Sequence, residues 1–323
     1  MQARMNRVLA RRALLVATLA ALVFQASRGQ STTSKAELSA KMAAAGTADD
    51  ATKSMSPDAS KTLKAAAEAL GLARWSGVGG QRLPEVDVIN TMEMWGSGTI
   101  YGQGQSAKPG EAGTAIKIDY HAALGYNPPA MRVEITPAKS AAPASSAAAP
   151  MHTFQVVRDA YAWDESEIGG GLVPGKGTAT PVMADVNNRL LQLWILPYGV
   201  IKSALAAGDK TKVSTEKGSP VITFPLSGQL AGVMVTATLD AQNEVAKVET
   251  RSDNPALAAM NTETEYSDYA DHGEIATDVK SPGHIVRKQN GHPVLDIQLK
   301  MLDANNPYLV FPVPENVKKA AAH

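Results

Sequence analysis

The sequence has no cysteine. That excludes a disulfide scaffold, a cysteine zinc site, an iron–sulfur site and a thiol nucleophile. It also has no net charge, with 31 Lys+Arg against 31 Asp+Glu. Such a balance argues against a chain built mainly to coat nucleic acid. Aromatic residues are sparse, at 5%. No G-x-S-x-G elbow and no H-E-x-x-H motif occurs, so the common serine-hydrolase and zincin signals are missing. What remains is a chain of 323 residues, 44% of them hydrophobic. That is enough for one large domain or two ordinary ones, with an ample core.

The first residues read as an export address. Arg4, Arg7, Arg11 and Arg12 form a positive stretch, and Ala13 to Phe24 is apolar apart from Thr18. The run is too short for a comfortable membrane span and suits a signal peptide, with cleavage expected after Ala26 or Gly29. No cysteine follows it, so a lipoprotein anchor is excluded, and no later apolar run is long enough to span. The expected location is the periplasm, with the protein soluble and free. Cleavage after Gly29 removes five arginines and no acid, leaving 31 − 5 = 26 basic against 31 acidic residues. Cleavage after Ala26 leaves 27 against 31. A mildly acidic mature chain makes nucleic acid an unsuitable partner.

Residues 1–29 are thus read as signal peptide and 30–55 as a flexible leader. A single β-rich domain is expected over 56–319, with a short tail at 320–323. Ser56-Pro57 predicts a capped helix start, Leu63, Ala66, Ala67 and Leu70 recur at helical spacing, and Gly71 stops the helix. Period-two alternation dominates afterwards. It appears at Ile116, Ile118 and Tyr120, at Met131, Val133 and Ile135, and at Val233, Val235, Ala237 and Leu239. The clearest run is Leu295, Ile297, Leu299 and Met301, preceded by the hairpin signal Asn290-Gly291. One-sided alternation predicts antiparallel strands with one covered face. Residues 137–150 are low-complexity and read as a loop. Residues 181–207 read as helical, begun by Thr180-Pro181, broken at Pro197 and ended at Gly208. The fold class expected is α+β, mainly antiparallel β, built around one sheet.

Several stretches carry a chemical suggestion. GGGLVPGKGT at 169–178 has the Gly and Lys spacing of a phosphate loop, but Gly177 stands where a hydroxyl must reach magnesium. It is read as a surface loop with Lys176 solvated. GSGTIYG at 96–102 reads as a bent or bulged strand. Asp164, Glu165 and Glu167 read as a solvated acidic turn. His284 and His292 flank the Asn290-Gly291 turn and are candidate cross-strand neighbours. With His272, Asp268 and Asp271 they are weak metal candidates whose spacing matches no ligand pattern. Trp75, Trp95, Trp163, Trp194, Tyr266 and Tyr269 are spread along the chain, and two readings stay open: they line an apolar cavity or fill a closed core.

Five stretches resemble a single module. They are DAYAWDES at 159–166, RLLQLWILPYGVIKSALAAG at 189–208, ETEYSDYADHGEI at 263–275, PGHIVRKQNGHPVLDIQL at 282–299 and VPENVKK at 313–319. The module is the region found ahead of the catalytic domain in exported bacterial metallo-β-lactamase-fold hydrolases. Its pattern is also similar to the periplasmic lipoprotein-carrier (LolA/LolB-like) fold. That resemblance covers roughly residues 60 to 318. It implies an unclosed antiparallel barrel, with an N-terminal helix and a central helix pair over a concave apolar face. The hydrolase's H-x-H-x-D-H zinc signature is absent from this sequence, so zinc hydrolysis is carried over to no residue.

The leading expectation is a non-enzymatic periplasmic module without a cofactor or metal. It would bind a lipid or other apolar or acyl-bearing molecule between sheet and helices. Its cavity candidates are Trp163, Leu190, Leu193, Trp194, Ile201, Tyr266 and Tyr269. The alternatives are a structural partner of a separate envelope enzyme, and an enzyme using His272, His284 or His292.

Overall fold

The computed structural model describes residues 55–75, 82–84, 89–102, 113–138, 152–253, 261–271 and 279–322. The signal-peptide stretch, most of the leader, His272 and most of the 137–150 loop lie outside these residues. Helix α1 spans Pro57–Ala69. Ser56 accepts from the Ala59 amide at 3.3 Å, and Pro57 fills the first turn, where its missing N–H costs nothing. At the other end Gly71 has φ 74°, and the Leu72 amide donates to Ala67 O at 2.8 Å. This Schellman closure is what the glycine permits. Leu63, Ala66 and Ala67 are buried on one side.

Strands β1 (Ala73–Trp75) and β2 (Arg82–Pro84) form a separate two-stranded ribbon. Then come β3 (Thr91–Tyr101), β4 (Ala115–Tyr126), β5 (Pro129–Pro137), β6 (Thr153–Arg158), β7 (Tyr161–Glu165) and β8 (Ala179–Pro181). Helices α2 (Val186–Trp194) and α3 (Pro197–Ala207) follow. The chain returns through β9 (Lys212–Glu216), β10 (Ser219–Pro225), β11 (Met234–Leu239), β12 (Val245–Arg251) and β13 (Thr262–Ser267). A two-residue pair, β14 (Ala270–Asp271) with β15 (Lys280–Ser281), precedes β16 (His284–Gln289) and β17 (His292–Ala304). A short helix, α4 (Glu315–Ala320), follows.

Thirteen strands make one antiparallel sheet, ordered β8-β7-β6-β5-β4-β3-β17-β16-β13-β12-β11-β10-β9. The fold is therefore mainly antiparallel β with a few helices. Its ends, β8 and β9, do not pair with each other. The helices nevertheless bridge the two halves: α2 packs on β5 and β6, while α3 packs on β10. Strands β5 and β10 are eight places apart in the order. At about 4.8 Å per strand a flat sheet would separate them by roughly 38 Å. Helix α2 alone, about 14 Å long, also touches the 3-10 turn Gly228–Leu230 between β10 and β11, so the sheet wraps around the helices. β3 and β17 approach closely at two glycines: a Cβ on Gly96 would lie 2.4 Å from Gln298 O, and one on Gly98 2.0 Å from Asp296 O. Opposite them β17 carries a bulge, with the register shifting between Leu299 and Met301. Residues 96–101 lie on β3, as a strand reading of this stretch requires, and the bulge sits on the facing strand.

Two expectations are corrected here. Residues 181–185 are not α-helical: Pro181 ends β8, Met183–Asp185 is a single 3-10 turn, and α2 begins at Val186. Thr180 pairs with Asp164 in the sheet instead of capping a helix. The break at Pro197 is as read, and the two helical arms meet at 96°. Second, Met301 does not continue the inward face of Leu295, Ile297 and Leu299. The extra residue of the bulge reverses the phase, so Leu302 turns inward and Met301 is 51% exposed. The Asn290-Gly291 turn is as expected, with φ 50° and 80°.

Inside the curve lies one apolar cluster. It joins α1, both central helices and the inner face of the sheet, through residues such as Leu63, Leu191, Ile201, Phe224 and Ile297. Each such fully buried apolar side chain contributes about 1.5–3 kcal/mol. A smaller cluster covers the outer face of β4 to β8. There Ala123, Val156 and Trp163 meet Phe311 and Val317 of the C-terminal segment. The same segment guards the β8 edge, because Asn316 Nδ2 donates to Ala179 O at 2.7 Å.

Candidate functional site

Strand parity builds the concave face. On β4, Ile118, Ala122 and Leu124 belong to the inner cluster, while Ala123 belongs to the outer one. Register then carries a single row of side chains across nine strands. It starts at Val213 on β9 and passes through Ile222, Ala237 and Val248. It continues through Thr264, Arg287, Leu295 and Ile100 to Ile116 on β4. Every member is apolar except Thr264 and Arg287.

The helix pair fills the curve from the other side. Buried Arg189 holds α2 to the sheet, donating from Nη1 to Val156 O (3.0 Å) and Trp163 O (2.8 Å) and pairing with Asp164 at 2.7 Å. The corner between the helices is held by phenols. Tyr266 on β13 donates to Ile195 O at 2.8 Å, and Tyr198 on α3 donates to Lys280 O. Tyr269 donates to Val245 O at 2.7 Å. The Tyr126 ring packs at 5.7 Å from Trp194, with Lys202 Nζ 5.2 Å from its centroid. Gly199 is required at the corner, since a Cβ would stand 2.6 Å from Leu193 O. Burial raises the pKa of Tyr120, Tyr126, Tyr198, Tyr266 and Tyr269, so all five stay neutral at ordinary pH.

The structure brings most of the cavity candidates together. Leu190, Leu193, Ile201 and Tyr266 lie within the inner cluster, and Trp194 and Tyr269 pack against it. Trp163 is separate. It is fully buried in the outer cluster, and its indole Nε1 donates to Glu165 Oε1 at 3.0 Å. Both faces of β7 are covered, which is why alternation there could not assign it to the inner face.

Glu165 also overturns the solvated-turn reading. Its side chain is 0% exposed and accepts from Arg132 Nε (3.1 Å), Trp163 Nε1 and the Gly169 amide (3.0 Å). The glycine-rich loop is thus tied to a buried carboxylate, while Lys176 is exposed as expected.

His284 and His292 are not neighbours. His284 pairs with Gln298 and bonds Asp296 at 2.8 Å, whereas His292 sits at the turn end opposite Gln289. Among the described residues no group of three or more ligating side chains is placed to hold a metal. His272 lies outside them.

Sequence reasoning missed a polar row on the outer face. Trp95 stacks on His121 at 4.9 Å, and His121 lies between Glu93 (3.3 Å) and Glu134 (3.4 Å). His152 approaches Glu134 at 2.7 Å. Its signal was available in the outward positions of the alternating strands. A polar cleft of about 290 Å³ lies where the β12–β13 and β16–β17 hairpins end, bordered by Arg251, Asn261, Glu263 and Lys288. Among the described residues no single helix is long and apolar enough to cross a membrane. No protein-family model matches the chain, and no curated protein matches it.

Proposed function

We propose that the chain is a non-enzymatic binding module of the LolA/LolB-like kind, working in the periplasm. It takes up an apolar or acyl-bearing molecule on its concave face. The observation that carries this reading is the apolar inner row running across nine strands of a sheet that is plugged by helices instead of closed by strand pairing. In the described state the space beneath α2 and α3 is occupied by their own side chains. A ligand enters by displacing the plug and replacing one set of apolar contacts with another. Apolar burial supplies the affinity, at roughly 25 cal/mol per Å² before the costs of association and helix displacement.

The test is native mass spectrometry and lipid extraction of the protein purified from its own host. A stoichiometric acyl-bearing adduct is the expected result. Repeated recovery of empty protein that also fails to bind a fluorescent fatty acid contradicts the reading.

A second reading is favoured by one observation. Tyr308 and Val310, on the segment that crosses the outer face, are 86% and 68% exposed. Side chains of this kind suit docking to a separate envelope protein. A pull-down that loses its partner on replacing both with serine would support that role.

A further inference from the structure

Arg287 is the one ionisable side chain in the inner row. It faces Thr264 across β13 and Leu295 across β17, and it shares its strand face with buried Ile285. Its Nε is buried and has no hydrogen-bond partner, and neither has the buried Thr264 Oγ1 beside it. Among the described residues no carboxylate pairs with Arg287. The charged groups nearby are its strand neighbours Lys288, paired to Glu263 and Glu265, and the outward His284–Asp296 pair. Instead the guanidinium lies close enough to Tyr120 and Tyr266 to act on their ionisation.

An arginine cannot shed its charge by deprotonation. A half-buried guanidinium with unused donors therefore costs stability while the site holds only protein. Its position gives that cost a use. The next row towards the strand ends is polar, with Thr250 opposite Thr262 and Thr262 opposite Gln289. The next row inward is apolar, with Ile285 opposite Ile297. A head group held at Arg287 would sit at the polar rim, with an acyl chain directed along the apolar floor.

We propose that Arg287, assisted by the Thr264 hydroxyl, is the head-group site for a single-chain anionic amphiphile whose carboxylate or phosphate supplies the missing acceptors. Two parallel N–H···O bonds from the guanidinium fit either head. The inference rests on the apolar-ligand reading above and adds to it the charge of the ligand.

The test uses displacement of the neutral probe N-phenyl-1-naphthylamine from the mature protein by dodecanoate, dodecyl phosphate and dodecanol. Wild type should bind at least one of the anions roughly 10- to 100-fold more tightly than the alcohol. The arm with the larger ratio identifies the carboxylate or the phosphate as the natural head. Arg287→Met should abolish the preference, weakening the anions far more than dodecanol. Thr264→Val should reduce it roughly two- to tenfold, and Arg287→Lys should keep part of it. Arg287→Met should fold, because an apolar isostere in place of an unpaired, half-buried charge is neutral or stabilising. If it does not, Arg287→Lys and Thr264→Val still decide. Equal binding of acid and alcohol by wild type, or an unchanged preference in Arg287→Met, overturns the head-group site alone. Failure of wild type to bind the probe and all three ligands overturns the apolar-ligand reading with it.

Discussion

Removing the Tyr266 hydroxyl should loosen the helix corner without changing the core's shape. Tyr266 is buried on β13, and its phenol donates to Ile195 O, the carbonyl at the C-cap of α2. In Tyr266→Phe the ring stays and the carbonyl loses its partner inside the core. A buried acceptor left unpaired costs about 1–3 kcal/mol. The bond joins the helix pair to the sheet, so the cost should fall on local opening of that pair as well as on global unfolding. At about 1.4 kcal/mol per tenfold, opening becomes roughly 5- to 150-fold more populated. Hydrogen exchange followed by mass spectrometry reads this directly. Amides of α3 should exchange faster by that factor, while those of β3 and β4 should change only with global stability. Urea unfolding should show a loss of about 1–3 kcal/mol at unchanged slope. An acyl probe should also associate faster if, as proposed, entry uses the same opening. Unchanged α3 exchange with a stability loss below about 0.5 kcal/mol would refute the latch, because that is the scale of an indifferent surface change.

Other outcomes follow from the same geometry. Tyr126, Tyr198 and Tyr266 are buried and Tyr120 and Tyr269 partly so, and desolvation raises the pKa of all five; their contribution is therefore intact below the ordinary tyrosine value near 10 and is lost as pH rises above it. Absorbance at 295 nm should show these five titrating only with alkaline unfolding, and smooth titration of all eight tyrosines in folded protein would contradict it. Glu165→Leu should cost about 3–5 kcal/mol by stranding Arg132, and adding Arg132→Met should recover much of that in denaturant melts. Additive losses would show that the pair does not act as a unit. Leu302→Ala should cost about 2–5 kcal/mol while Met301→Lys stays within about 0.5 kcal/mol, and the reverse ranking would remove the bulge from β17.

Local devices were legible in the sequence because local chemistry sets them. Ser56-Pro57 and Gly71 bracket α1, Pro197 breaks the helix pair, and Asn290-Gly291 turns the last hairpin. Each depends on residues within a turn of one another. Alternation also assigned Ile118, Val133, Val235 and Ile297 to the inner face. It failed at Met301, since a bulge leaves no mark in the pattern of apolar residues and reverses everything after it. It was uninformative at Trp163, which lies on a strand covered on both sides. Glu165 looked like part of a charged turn because Arg132, its main partner, is far away in sequence. His284 and His292 flank one turn, but the register puts them at opposite ends of the hairpin. Arg287 was passed over for a related reason. Between Val286 and Lys288 it reads as surface charge, and only its pairing with Thr264 and Leu295 shows the apolar row around it.

The most direct measurement is photo-crosslinking with a fatty acid carrying a diazirine near the chain end, followed by peptide mapping. Saturable labelling should fall on inner-face segments, namely β3, β4, β17 and the facing sides of α2 around Leu190 and of α3 around Ile201. Competition by unlabelled fatty acid should remove it. Labelling confined to the outer face around Trp163 and Phe311, or no saturable labelling at all, would contradict a ligand site beneath the helix pair.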